Sequence, residues 1–117
     1  VLQSSRNGFL GLSAQHEALS LCAQGIIHAI QNQTEGVASI ISELENFGDS
    51  DGAKSMVGII KLYSGKRPEG YAIFRDDIIN DNPYVYFYID PLLDPFRDET
   101  QFIELLNLYN MNKNNSL

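Results

Sequence analysis

The chain has 117 residues, 44% hydrophobic and 20% charged, with fifteen Asp and Glu against eight Lys and Arg for a formal net charge of −7. That length carries one domain with its own core, and that sign of charge disfavours nucleic-acid backbones and anionic membrane surfaces while attracting a basic protein surface. The single cysteine, Cys22, excludes an intrachain disulfide, and no apolar run reaches the roughly 18 residues of a membrane span.

The opening VLQSSRNGFLGL has neither the cationic start nor the apolar stretch of an intact signal peptide. A soluble, cytoplasmic protein is the expectation, with a periplasmic or secreted setting left open because the native N-terminus is not evident. Residues 1–12 read as an N-terminal extension and 13–111 as a single domain. Ser13 can cap the helix that follows, in which Ala18, Leu21, Cys22, Gly25, Ile26 and Ala29 recur at the spacing of one helical face. Leu19, Ala23 and Ile27 add a second apolar stripe, so this helix is expected to be central and buried on more than one side. After a polar break at residues 31–34, Val37, Ile40, Ile41, Leu44 and Phe47 predict a second amphipathic helix, stopped by Gly48.

The loop GDSDG ends the helical half and is the expected site of proteolytic cleavage, together with the Asn-rich end. Met56 to Tyr63 fits either a helix or a strand. Its β-branched residues and Gly58 favour a strand, as does the need for a third strand beside two other strand-like stretches, GYAIFRD and PYVYFYID. Lys66 to Gly70 then reads as a hairpin loop. Asp94-Pro95 looks like a cap and first-turn proline for a final helix with Phe102, Leu105, Leu106 and Tyr109 on its apolar face, and 112–117 as a disordered tail. The predicted fold class is therefore α+β: a short antiparallel β-meander of about three strands, packed with two N-terminal helices and one C-terminal helix. Its expected core includes Leu21, Cys22, Ile26, Ile40, Leu44, Phe87, Ile89, Phe102 and Leu106.

Local chemistry is sparse. His16 and His28 are out of phase with each other and with Cys22 on one helix, so no Cys-His pair is offered, and these residues make a poor transition-metal set. Asp49 to Gly52 and Asp76, Asp77 and Asp81 lack the ligand pattern of a calcium loop. SGKRPEG lacks the spacing of a phosphate-binding loop. No cofactor, metal or catalytic residue is assigned.

The candidate surface is aromatic and acidic. Tyr84, Tyr86 and Tyr88 alternate, which on a strand places them on one face, and they are flanked by Asp76, Asp77, Asp81, Asp90 and Asp94. These tyrosines could instead pack beneath the helices with their hydroxyls at the edge, or line a ligand pocket. Between Tyr71 and Glu104 eight acids stand against Arg75 and Arg97, a local net of −6. An aromatic centre in an acidic rim suits a basic protein partner. The expected function is a non-catalytic protein-binding module, an adaptor, chaperone or inhibitor of the immunity-protein kind, that also self-associates as a homodimer. The alternative is a small ligand-binding domain or hydrolase using carboxylates in a cleft.

Overall fold

The computed structural model describes residues 11–47, 52–80 and 89–115. Among these there is no strand: the elements are α1 (Gly11–Ile30), α2 (Thr34–Glu45), α3 (Ala53–Tyr63), α4 (Arg67–Ile79), a 3-10 helix (Pro91–Phe96) and α5 (Thr100–Asn115). The α+β assignment is thus corrected to a helical bundle. Helix α1 packs on α2 and α3, α2 also on α3, α3 on α4, and α4 on α5. Helix α3 therefore lies against both members of the α1–α2 hairpin, α4 lies on α3, and α5 closes on α4.

The stretch expected to be the first strand is the interior of α3, and this helix, not α1, is the centre of the domain. Val57, Gly58, Ile59 and Ile60 are buried in succession, with Leu62 beyond them. The segment does carry a helical spacing, with Lys54 and Lys61 on its less buried side, but its β-branched Val57, Ile59 and Ile60 favour a strand on propensity, which tertiary packing overrides. Gly58, which argues against a helix on propensity, is explained by close packing. A Cβ on it would lie 3.1 Å from the Phe74 ring, and one on Gly70 would lie 2.9 Å from the Gly58 carbonyl oxygen. The two glycines let α3 and α4 cross almost backbone to backbone, which offsets the roughly 1 kcal/mol that glycine costs inside a helix.

The second expected strand, GYAIFRD, lies in α4. Gly65 ends the preceding helix at φ +82°, and Pro68 occupies the first turn of α4. That punctuation looks like a hairpin but starts a helix. Gly70, Tyr71, Phe74, Asp77 and Ile78 are buried at helical spacing. The third expected strand falls largely on 81–88, as does Phe87, and so lies outside the described residues. Ile89 is described and is 60% exposed, so it leaves the core list.

Elsewhere the periodic positions behave as their spacing requires. Leu21, Cys22, Ile26, Ile40, Leu44 and Phe102 are buried, and Leu106 packs partly buried against them. Helix α1 buries one stripe only. Its second stripe is open to solvent, with Leu19 54% and Ile27 53% exposed. A Cβ on Gly25 would lie 2.5 Å from Ile60 and 3.1 Å from Ile40, so this glycine seats α1 against both α2 and α3. Asp94-Pro95 does not open the last helix: Asp90 caps the 3-10 turn, its side chain accepting from the Leu92 N–H at 2.9 Å, and α5 starts at Thr100. Helix α5 continues to Asn115, past the boundary drawn at 111, and Asn112 Nδ2 donates to the Ile78 carbonyl at the end of α4. No described helix is long and apolar enough to cross a membrane.

Candidate functional site

The segment after residue 89 is fastened to the α3–α4 corner by a cluster that joins distant parts of the sequence. Arg67 Nε donates to both carboxylate oxygens of Glu99, at 3.1 and 3.2 Å, another guanidinium N–H donates to the Leu62 carbonyl, and the group stacks 4.7 Å from the centre of the Phe96 ring. The Tyr71 hydroxyl donates to Glu99 Oε1 at 2.5 Å, and the Tyr63 hydroxyl donates to the Leu92 carbonyl at 2.6 Å. Tyr63 also meets Phe96 edge to face, centroids 5.0 Å apart. Burial first, then the bond to Glu99, raises the Tyr71 pKa well above the usual phenol value. Donors and acceptors here are matched to one another, which makes the cluster a fastening rather than a reacting centre.

This fastening also sorts the charges. Arg67 is held by Glu99, Lys61 lies 3.7 Å from Glu69, and Arg97 pairs with Asp94 at 2.7 Å while sitting over the Phe102 ring. Asp76, Asp98 and Glu104 stay exposed. Between α4 and α5 runs a groove of about 460 Å³, with Tyr71, Leu105 and Leu108 along its floor, Arg75 and Glu104 on its walls and Met111 at one end. Met111 is 62% exposed. A second groove, about 340 Å³, lies between the α1–α2 turn and the end of α3, lined by Val37, Ile41, Lys61 and Lys66 among others.

The residues singled out from the sequence divide into four groups. Asp76 is exposed on α4, and Asp94 is exposed but engaged by Arg97. Asp90 is partly buried, with its carboxylate spent on the cap and its carbonyl accepting from Arg97 at 3.1 Å. Asp77 is not on the rim: it is 3% exposed and accepts from Ser55 Oγ at 2.8 Å, tying α4 to the first turn of α3. Tyr84, Tyr86, Tyr88 and Asp81 lie outside the described residues. Asp98 and Glu104 count in the acid excess of the sequence but not in its candidate surface, and nothing local marks Arg67, Tyr71 and Glu99 as the residues that organise it. The excess of acids was countable, but the pairing that decides which of them remain free spans about thirty residues.

Among the described residues no group of three or more His, Cys, Asp or Glu could hold a metal ion. Cys22 is 2% exposed, and burial first, with the Asp90 charge second, pushes its thiol pKa up from 9.0 to about 12. At neutral pH it is a packed thiol, not a nucleophile. The raised value has a definite sign for stability. Between pH 9 and about 12 the unfolded chain releases this proton and the folded chain keeps it, so stability present below pH 9 falls by about 1.4 kcal/mol per pH unit across that window. Denaturant titrations at a series of pH values should show a shallower alkaline decline for Cys22→Ala than for the parent. Equal slopes would mean that the thiol is not held protonated by the fold. Comparison of the chain with protein-family models, with characterised proteins and with solved structures finds no match.

Proposed function

We propose that the chain is a small acidic, non-catalytic binding module, of the adaptor, chaperone or inhibitor kind, whose partner is a basic protein. The observation that carries this is the sorting of charge: Arg67, Lys61 and Arg97 are engaged by acids within the fold, while Asp76 on α4, Asp98 in the turn before α5 and Glu104 on α5 face solvent, with Glu104 and Arg75 together on the walls of the α4–α5 groove. Such a surface attracts a cationic partner at a distance, and a shallow groove with a tyrosine, leucines and a methionine offers it apolar contact on arrival. Tyr84, Tyr86 and Tyr88, with Asp81, belong to the proposal as a further part of the surface on their composition alone. A reducing cytoplasmic setting accords with a lone buried thiol.

The test is capture from the native source at low salt on immobilised protein, with elution by a salt gradient. A basic protein should elute with salt, and should be lost when Asp76, Asp98 and Glu104 are changed together to the corresponding amides. Capture that is indifferent to both salt and the triple change would overturn the proposal.

A further inference from the structure

Helix α1 carries a feature that the binding of a basic partner does not use. Leu19, Ala23, Ile27 and Ile30 form a continuous solvent-facing stripe, with Leu19 54%, Ile27 53% and Ile30 65% exposed. The stripe runs at i, i+4, i+8 and i+11, one side of the helix over about 16 Å at 1.5 Å per residue. Between Glu17 and Glu35 the chain has no Asp, Glu, Lys or Arg, so nothing on this face steers a cationic partner toward it.

We infer that this face pairs with the same face of a second copy of the chain. Three observations select that occupant. First, a protein of charge −7 approaches its own copy against repulsion, and the uncharged span of α1 is where that repulsion is weakest. Second, the centre of the stripe is self-complementary, with Ile30 falling opposite His16 of the other copy. Leu19 and Ile27 stand four residues either side of Ala23, so a two-fold axis through Ala23 with the helices antiparallel sets Leu19 of each copy against Ile27 of the other. Antiparallel packing also places opposite ends of the helix dipoles together. Third, the residue on the axis is small, which lets the helices approach closely, and the neighbouring Ser20 and Gln24 are polar without charge. The stripe alone is smaller than the roughly 800 Å² per partner of a standard stable interface, so the dimer is weak and reversible.

Sedimentation equilibrium over a range of concentrations tests this. The parent mass should rise from 13.1 kDa toward twice that value, and added salt should strengthen the dimer by screening repulsion, the opposite of its effect on a basic partner. Ala23→Glu puts two like charges on the axis and should raise the dimer Kd on the order of 100-fold, while its far-UV circular dichroism stays that of the parent because the site is exposed. An independent readout uses Ala23→Cys. With oxidised glutathione as oxidant, two axial thiols should join as a disulfide-linked dimer far faster than those of Ser39→Cys on the exposed side of α2, while the buried Cys22 stays unreacted. A parent that remains monomeric at the highest attainable concentration, a dimer unaffected by Ala23→Glu, or equal cross-linking at positions 23 and 39 would each overturn the inference.

Discussion

Gly70→Val is expected to destabilise the protein by about 3 kcal/mol or more, at the upper end of what overpacking costs. A Cβ at this position would lie 2.8 Å from Leu62 Cδ2, 3.0 Å from Leu62 Cγ and 2.9 Å from the Gly58 carbonyl oxygen. Leu62 is fully buried, and the carbonyl belongs to the backbone of α3. Neither can yield unless α3 and α4 move apart, which would loosen Phe74 and Tyr71 together. Gly65→Val is the useful contrast. Position 65 has no neighbour within 4 Å but a φ of +82°, so its cost comes from backbone strain and should be smaller, about 1–2 kcal/mol. Urea unfolding of the two variants beside the parent checks the order. Equal losses would mean that the helix crossing is not close-packed at Gly70.

Ile59→Ala and Ile60→Ala are each expected to cost about 2–4 kcal/mol, the range for truncating a buried aliphatic residue. Ile59 is 4% and Ile60 0% exposed. On a strand with one covered face adjacent residues point to opposite sides, and only one of the pair would be expensive. On a helix surrounded by α1, α2 and α4 both are. Ile79→Ala, at a position 56% exposed, should stay within about 0.5 kcal/mol. A cheap Ile59→Ala beside a costly Ile60→Ala would argue against α3 as a helix held between α1, α2 and α4.

The same contrast explains which parts of the fold were legible in the sequence. Helix α1 and helix α2 each turn one face inward, so Leu21, Cys22, Ile26, Ile40 and Leu44 announce themselves by period. Helix α3 carries the same period, with Lys54 and Lys61 on its less buried side, but its run of Val57, Ile59 and Ile60 favours a strand on propensity, and its Gly58 makes sense only once Phe74 and Gly70 lie across it. Helix α4 buries an aspartate, Asp77, and exposes an isoleucine, Ile79, which blurs its amphipathic signal. Its helical spacing of Tyr71, Phe74 and Ile78 was present but was outweighed by the strand-forming character of the residues. The second stripe of α1 reads as apolar in the sequence and yet is exposed, since periodicity tells which residues share a face and not what covers it. For the surface, the acid excess could be counted directly. Which acids remain free depends on Arg67 reaching Glu99 and on Asp77 meeting Ser55, contacts 32 and 22 residues apart that no local pattern encodes.

Recognition of a basic partner by the exposed acids is tested most directly by the association rate of the purified chain with its captured partner, measured against ionic strength by stopped flow. The rate should fall steeply as the screening length shortens from about 30 Å at 0.01 M to about 10 Å at 0.1 M. Changing Asp76, Asp98 and Glu104 to amides should lower the low-salt rate by on the order of tenfold, flatten the dependence and leave the dissociation rate nearly unchanged. An association rate that is the same at both ionic strengths, and the same in the triple variant, would contradict a binding module steered by its acidic face.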